Sequence, residues 1–226
     1  MKAIRLVVFD LAGTTVDDGG GTVLGCLIEA ARIHELPGSP EELNALMGMN
    51  KREVFDLLAR RRHGEDVRRA EQVAEEALAT FVQSMRAAYE HSLRPVNGAE
   101  EVFTFLRERG IKVATDTGFD AQVTQLIVQR LDWPGRLIDL AVCSSDVPRG
   151  RPAPYMIFRA MEQVGVIDVR QVMKIGDSPA DLEEGFNAGC GEVIGVLSGA
   201  HTIETLGPCP HTRLLPSVAD LPALFQ

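Results

Sequence analysis

A chain of 226 residues can hold one sizeable core plus an inserted subdomain. Its 45% hydrophobic and 24% charged residues are ordinary for a water-soluble globular protein, and its net charge of −9, spread without blocks of one sign, argues against a nucleic-acid binder. No stretch approaches the roughly 18 apolar residues of a membrane span. The chain enters a strand by Ile4, leaving no room for a signal peptide, and Cys26, Cys143, Cys190 and Cys209 have neither zinc-site nor disulfide-framework spacing, so a cytoplasmic protein with free thiols is expected.

In chain order, the first element is the apolar run "IRLVVF" (4–9), a buried strand that ends in Asp10 and "LAGTTVDD". Residues 18–90 then hold only helical patterns, far beyond the usual strand-to-helix connection. These are "TVLGCLIEAARIHEL" (22–36), "SPEELNALMG" (39–48) with serine and proline in cap and first-turn positions, and "KREVFDLLARRR" (51–62). A long fourth pattern has one apolar stripe through Val67, Ala70, Ala74, Ala77, Phe81, Met85 and Ala88. From residue 98 onward, helices and strands alternate. Strands are predicted at 111–115, 137–142, 172–176 and 192–196, with glycine stops after the intervening helices. The pattern predicts a doubly wound α/β fold: a core of residues 1–17 plus 94–226 and an inserted helical domain of residues 18–93, joined by linkers near Asp17–Gly21 and Leu93–Asn97.

Ligands of such sheets bind at the C-terminal ends of the strands. Asp10 stands at the first end, Asp116 and Thr117 at the second, Arg151 in the loop after the third, and Asp177 and Asp181 after the fourth. Aspartates converging from two strand ends suit a hard cation such as Mg²⁺. A hydroxyl and a guanidinium beside it would hold a phosphoryl group, and a carboxylate there can serve as nucleophile. Gly13 and the hydroxyls after it would let backbone N–H groups approach the transferring oxygens.

The segments "VVFDLAGTTVDD", Thr117 after "KVATD", Arg151 and "GDSPAD" together resemble the four motifs of the haloacid dehalogenase superfamily over nearly the whole chain, with the helical insert where that family carries its C1 cap. The resemblance implies a Rossmann-like core, Mg²⁺ as cofactor, Asp10 as nucleophile, and a metal site of Asp10, the Ala12 carbonyl and Asp177, with Asp181 in support. Thr117 and Arg151 would hold the phosphoryl group, and Thr14, Met47 and Gly118 would line the substrate site. Most phosphatases of the superfamily have an acid where Ala12 stands, to protonate the leaving alkoxide, a contribution of about 10²–10⁴ in rate.

Three features are similar instead to the phosphonatase branch: Ala12 within "DLAGTTVD", Arg151 within "DVPRGRPAP" (146–154), and Lys51 within "MGMNK" (47–51). That likeness implies cleavage of the C–P bond of a phosphonoacetaldehyde-type substrate through a Lys51 Schiff base. A neutral enamine then leaves instead of a carbanion, and no oxygen needs a proton. The lysine must be unprotonated, so burial or a nearby positive charge should lower its pKa. Two positions depart from the branch: Val54 stands where it has histidine, and Phe119 where it has tyrosine. Three functions stay open: the phosphonatase, a phosphomonoesterase of phosphoglycolate type, and a phosphate-binding protein without turnover. The expected partners are a small phosphorylated or phosphonate substrate and a second copy of the chain joined through the cap.

Overall fold

The computed structural model describes residues 4–225. Its elements are β1 (Leu6–Asp10), α1 (Thr22–Ile33), α2 (Pro40–Ala45), α3 (Lys51–His63), α4 (Val67–His91), α5 (Ala99–Glu108), β2 (Lys112–Thr117), α6 (Ala121–Arg130), β3 (Leu140–Cys143), α7 (Tyr155–Val164), β4 (Val172–Gly176), α8 (Pro179–Ala188), β5 (Glu192–Val196), α9 (Ile203–Leu206) and β6 (Arg213–Leu215). The strands pair in parallel in the order β3-β2-β1-β4-β5-β6. Alternate residues of β1 feed different cores: Val7 and Phe9 join one, Leu6 and Val8 the other. Both faces of the sheet are therefore covered, which is why its strands read as continuous apolar runs. The strand order reverses at β1, with β2 and β3 on one side and β4 on the other, so a crevice opens above the tips of β1 and β4.

Two strand expectations are corrected. A sixth strand, β6, pairs with β5 at the sheet edge. The third strand begins at Leu140, not at 137, because the amides of Leu137 and Ile138 donate to the Trp133 carbonyl at 2.8 and 3.0 Å and close a turn instead.

Helices α1 to α5 lie between β1 and β2, and α4 packs against both α1 and α3. Ser39 caps α2 through a reciprocal pairing with Glu42, with Pro40 in the first turn. The buried stripe of α4 is Ala70, Val73, Ala74, Ala77, Phe81, Met85 and Tyr89, so it ends on Tyr89 rather than Ala88, and Val67 is exposed. The two chain crossings lie side by side: the Asp17 amide donates to the Arg94 carbonyl at 3.0 Å, and Arg94 Nε donates to Asp17 Oδ2 at 2.6 Å. Gly19, Gly20 and Gly21 all follow with φ between 58° and 111°, which glycine adopts without strain.

Candidate active site

The tips of β1 and β2 bring Asp10 level with Asp116. After Asp10 the chain folds back tightly. The amides of Thr15 and Val16 donate to the Leu11 carbonyl at 2.9 and 2.7 Å, and the Thr15 hydroxyl donates to the Asp10 carbonyl at 2.8 Å. Ala12 thereby lines a small cavity, while the Thr14 hydroxyl turns to Asp177 Oδ1 at 3.1 Å and is not part of the cavity wall. Across the sheet, "GDSPAD" forms the start of α8. Ser178 caps it reciprocally with Asp181, and Asp177 stands just before the positive end of the helix.

Beneath these groups lie two fully buried cations, Arg151 and Lys174. Arg151 donates to Asp10 Oδ1 at 2.7 Å and to Asp181, and lies 3.5 Å from Asp116. Lys174 pairs with Asp116, and with Asp181 and Glu184 at 3.1 Å each. Oxygens of Asp10, Asp116 and Asp181 lie within 4.8 Å of one another, as a metal cage requires. That triad, however, already shares two organic cations, whose removal would leave buried charges unpaired. Burial alone would raise the Asp181 carboxyl, but Arg151 and Lys174 hold it below its ordinary value.

Asp177 is held by neutral donors instead. Its Oδ1 accepts from Thr14, its Oδ2 from the Ala200 amide at 2.7 Å, and burial followed by the charges of Asp10 and Asp181 pushes it well above the usual range. Asp10 is raised to about 7, by burial first, with Arg151 opposing. Asp10, Ala12 and Asp177 line one cavity, and its two buried carboxylates both resist ionisation, as oxygen ligands suited to a cation such as Mg²⁺ would.

The insert supplies the remaining wall. The cavity is about 20 Å³, room for roughly one water. Asp10, Ala12, Met47, Lys51, Thr117, Gly118 and Asp177 all line it. Thr117 is buried, and its hydroxyl accepts the Phe119 amide at 3.3 Å. Two glycines allow the insert to seat so closely. A Cβ on Gly118 would strike the Met49 carbonyl, and one on Gly48, whose φ is +81°, would strike the Ser178 hydroxyl. His201 adds a tie, its ring nitrogens 3.2 Å from the carbonyls of Asp177 and Asn44.

Lys51 opens α3 with its side chain only 4% exposed. Its Nζ donates to the Met49 carbonyl at 3.0 Å, and its amide donates to the Gly118 carbonyl at 3.2 Å. Burial pushes the ammonium pKa down to about 8, Arg151 adds to that, and Asp10, Asp181 and Asp18 oppose it. The positive charge acting on Lys51 is thus Arg151 from the core, while its sequence neighbour Arg52 is exposed. Val54 is fully buried, and the Phe119 ring centroid lies 6.3 Å from those of Phe81, which it meets tilted, and Tyr89, which it meets edge-to-face.

Asp116 stands at a strand end, as its place in the sequence implies, whereas Lys174 lies within an apolar strand that gives no sign of a role; both are fully buried in the ion network. Glu184 joins it from α8. His201, which stands in no recognisable motif, is buried.

Residues 4–189 match the family model of haloacid dehalogenase-like hydrolases. A phosphonoacetaldehyde hydrolase from Bacillus cereus is 33% identical over 207 residues, covering 87% of this chain and 77% of that protein. Among solved structures, a hydrolase from Pseudomonas syringae superposes with a TM-score of 0.82 at 21% identity, covering 98% of this chain and 97% of the other. A phosphonoacetaldehyde hydrolase-like protein from Oleispira antarctica superposes with a TM-score of 0.79 at 21% identity, covering 98% and 91%. Among the described residues no helix is long and apolar enough to cross a membrane.

Proposed function

Because the chain belongs to the haloacid dehalogenase-like hydrolases, we propose that it acts as a phosphonatase, cleaving the C–P bond of a phosphonoacetaldehyde-type substrate. One observation carries the reading: a buried lysine with its pKa lowered to about 8 shares a small cavity with a strand-tip aspartate. A cap-surface lysine would be solvated and would titrate normally. With a pKa of about 8, about a tenth of this lysine is neutral at pH 7, and that form can attack a carbonyl.

In the proposed sequence, the Lys51 amine condenses with the substrate aldehyde and releases water. Asp10 then attacks phosphorus in line. The C–P bonding pair stays with carbon as part of a neutral enamine, and the phosphoryl group passes to the Asp10 carboxylate. Arg151 orients Asp10 from beneath the cavity and contributes its positive charge there, while Thr117 and the Gly118 backbone, which line the cavity, would hold the phosphoryl oxygens. Asp10, Asp177 and the Ala12 carbonyl would hold Mg²⁺, which when bound neutralises the substrate dianion. Enamine departure requires no proton on oxygen, so the methyl group of Ala12 is compatible with this reaction and unsuited to phosphate-ester hydrolysis.

Release of inorganic phosphate and acetaldehyde from phosphonoacetaldehyde tests the proposal, with phosphoglycolate as the comparison. Wild type should turn over the phosphonate, Lys51→Arg should not, and Asp10→Asn should hydrolyse neither compound. Preferential hydrolysis of phosphoglycolate, undiminished in Lys51→Arg, would make the protein a phosphomonoesterase.

A further inference from the structure

Condensation at Lys51, on the reading just given, requires a proton donor. As the C–N bond forms, the carbonyl π pair moves to oxygen, which takes one proton. The C–O bond then breaks, and that oxygen leaves as water after taking a second. Nitrogen surrenders one proton, so the balance is aldehyde, amine and one proton giving iminium and water. Among the residues that line the cavity with Lys51, Val23, Met47, Gly48, Gly118 and Phe119 have no acidic side-chain proton, and Thr117 and Ser178 offer only aliphatic hydroxyls, which are very weak acids. Asp10, Asp177 and Asp181 are engaged with Arg151, Thr14, Ser178 and the proposed metal.

Two further ionisable groups adjoin residues of the cavity wall without lining the cavity themselves. Tyr89 projects from α4, is 1% exposed, and meets the Phe119 ring edge-on at 6.3 Å and 80°. Its hydroxyl is buried without a hydrogen-bond partner, which protein interiors seldom tolerate. Asp18 is half-buried where the chain crosses into the insert, and its Oδ1 accepts the amide of Val23, itself a wall of the cavity, at 2.9 Å. The charge of Asp18 is the leading electrostatic influence on Tyr89, followed by Asp10, and it also acts on Lys51.

We propose that Tyr89 and Asp18 are the proton-handling pair for imine formation at Lys51: the tyrosine hydroxyl donates a hydrogen bond to the oxygen derived from the aldehyde, and the Asp18 carboxyl gives that oxygen its proton and recovers it when the imine is hydrolysed. The chemistry of both groups suits these tasks. Burial pushes Asp18 up to about 6, with the Val23 amide and Lys51 opposing and Asp17 adding, so the carboxyl cycles near neutrality. Burial, then Asp18, Asp10, Cys26 and Asp17, keep the Tyr89 hydroxyl protonated well beyond its ordinary range, so it only donates. Asp17 is held below its ordinary value by Gly19 and Arg94 and stays ionised.

The test is the initial rate of borohydride trapping with phosphonoacetaldehyde, read as reduced adduct on Lys51, across pH and alongside thermal melts. Tyr89→Phe keeps the ring and should melt no lower than wild type, yet trap about 10- to 100-fold more slowly. Wild-type trapping should be level between about 6, where Asp18 titrates, and about 8, where Lys51 titrates, and should fall on either side. Asp18→Asn should trap more slowly and lose the decline above pH 8, because no acid is left to deprotonate. Wild-type trapping matched by both variants overturns the pair while leaving the lysine chemistry intact. No adduct in the wild type overturns both readings. An unchanged pH profile in Asp18→Asn overturns the role of Asp18 and with it the pair, and remains decisive even if Tyr89→Phe melts early.

Discussion

Lys51 and Lys174 are both buried, one at the edge of the helical insert and one in the middle of β4, yet their surroundings drive them in opposite directions. Lys174 sits among Asp116, Asp181 and Glu184, and burial, which would lower its pKa, is overcome by the first and last of these acids, so it is held above its ordinary value. Lys51 has a backbone carbonyl as its hydrogen-bond acceptor, burial prevails, and its pKa falls to about 8. Burial therefore does not decide what a lysine does; the number of carboxylates around it does. The first lysine is a fixed counter-ion that holds the floor of the site together. The second is kept ready to lose its proton.

The largest expected effect on this contrast comes from Lys51→Arg. A guanidinium keeps the charge but cannot form an imine, so phosphonoacetaldehyde turnover should fall by about 10⁴ or more, measured as phosphate release. Next is Lys174→Met, which should leave turnover unmeasurable for a different reason. It strands buried carboxylates and should cost about 3–5 kcal/mol of stability in urea unfolding.

Third is Lys51→Met, expected to be inactive but more stable. The gap between 10.5 and about 8 sets a ceiling of about 3 kcal/mol on what burying this ammonium costs. The sign follows from the lowered folded-state pKa. Wild type bears the full cost below pH 8, sheds it as pH rises from about 8 to 10.5, and bears none above that range. The advantage of Lys51→Met should shrink over the same interval, and an advantage independent of pH would show that packing, not charge, is its source. The smallest effect belongs to Arg52→Ala. That side chain is exposed and Arg151 supplies the charge felt by Lys51, so the limb of the trapping profile near pH 8 should move by less than about 0.3 units.

One half of this contrast could be read in the sequence. Asp10, Thr117, Arg151 and "GDSPAD" stand at strand ends because the doubly wound sheet puts every ligand-facing turn there, and the cap lysine sits in a short motif next to glycine. Lys174 could not be read that way. Within "VMKIG" it is one polar residue in an apolar strand, and its partners Asp116 and Glu184 come from segments 58 and 10 residues away, from β2 and α8. Tyr89 was out of reach for another reason: over the 25 residues of α4 the buried stripe drifts, and the last turn buries Tyr89 where extrapolation chose Ala88. β6 has three residues and no apolar alternation, and only its pairing with β5 makes it a strand. Helical periodicity and strand-end chemistry are local signals. Charge balance in the floor of the site is a property of the assembled sheet.

The chain contains four lysines, Lys2, Lys51, Lys112 and Lys174, so adduct mapping gives a clear answer. After incubation of the wild-type protein with phosphonoacetaldehyde and borohydride, peptide mass spectrometry should find one reduced adduct, on Lys51, with Lys174 unmodified and turnover lost in proportion. Full turnover with no adduct, or adducts that leave Lys51 free, would contradict the account that its lowered pKa serves imine chemistry.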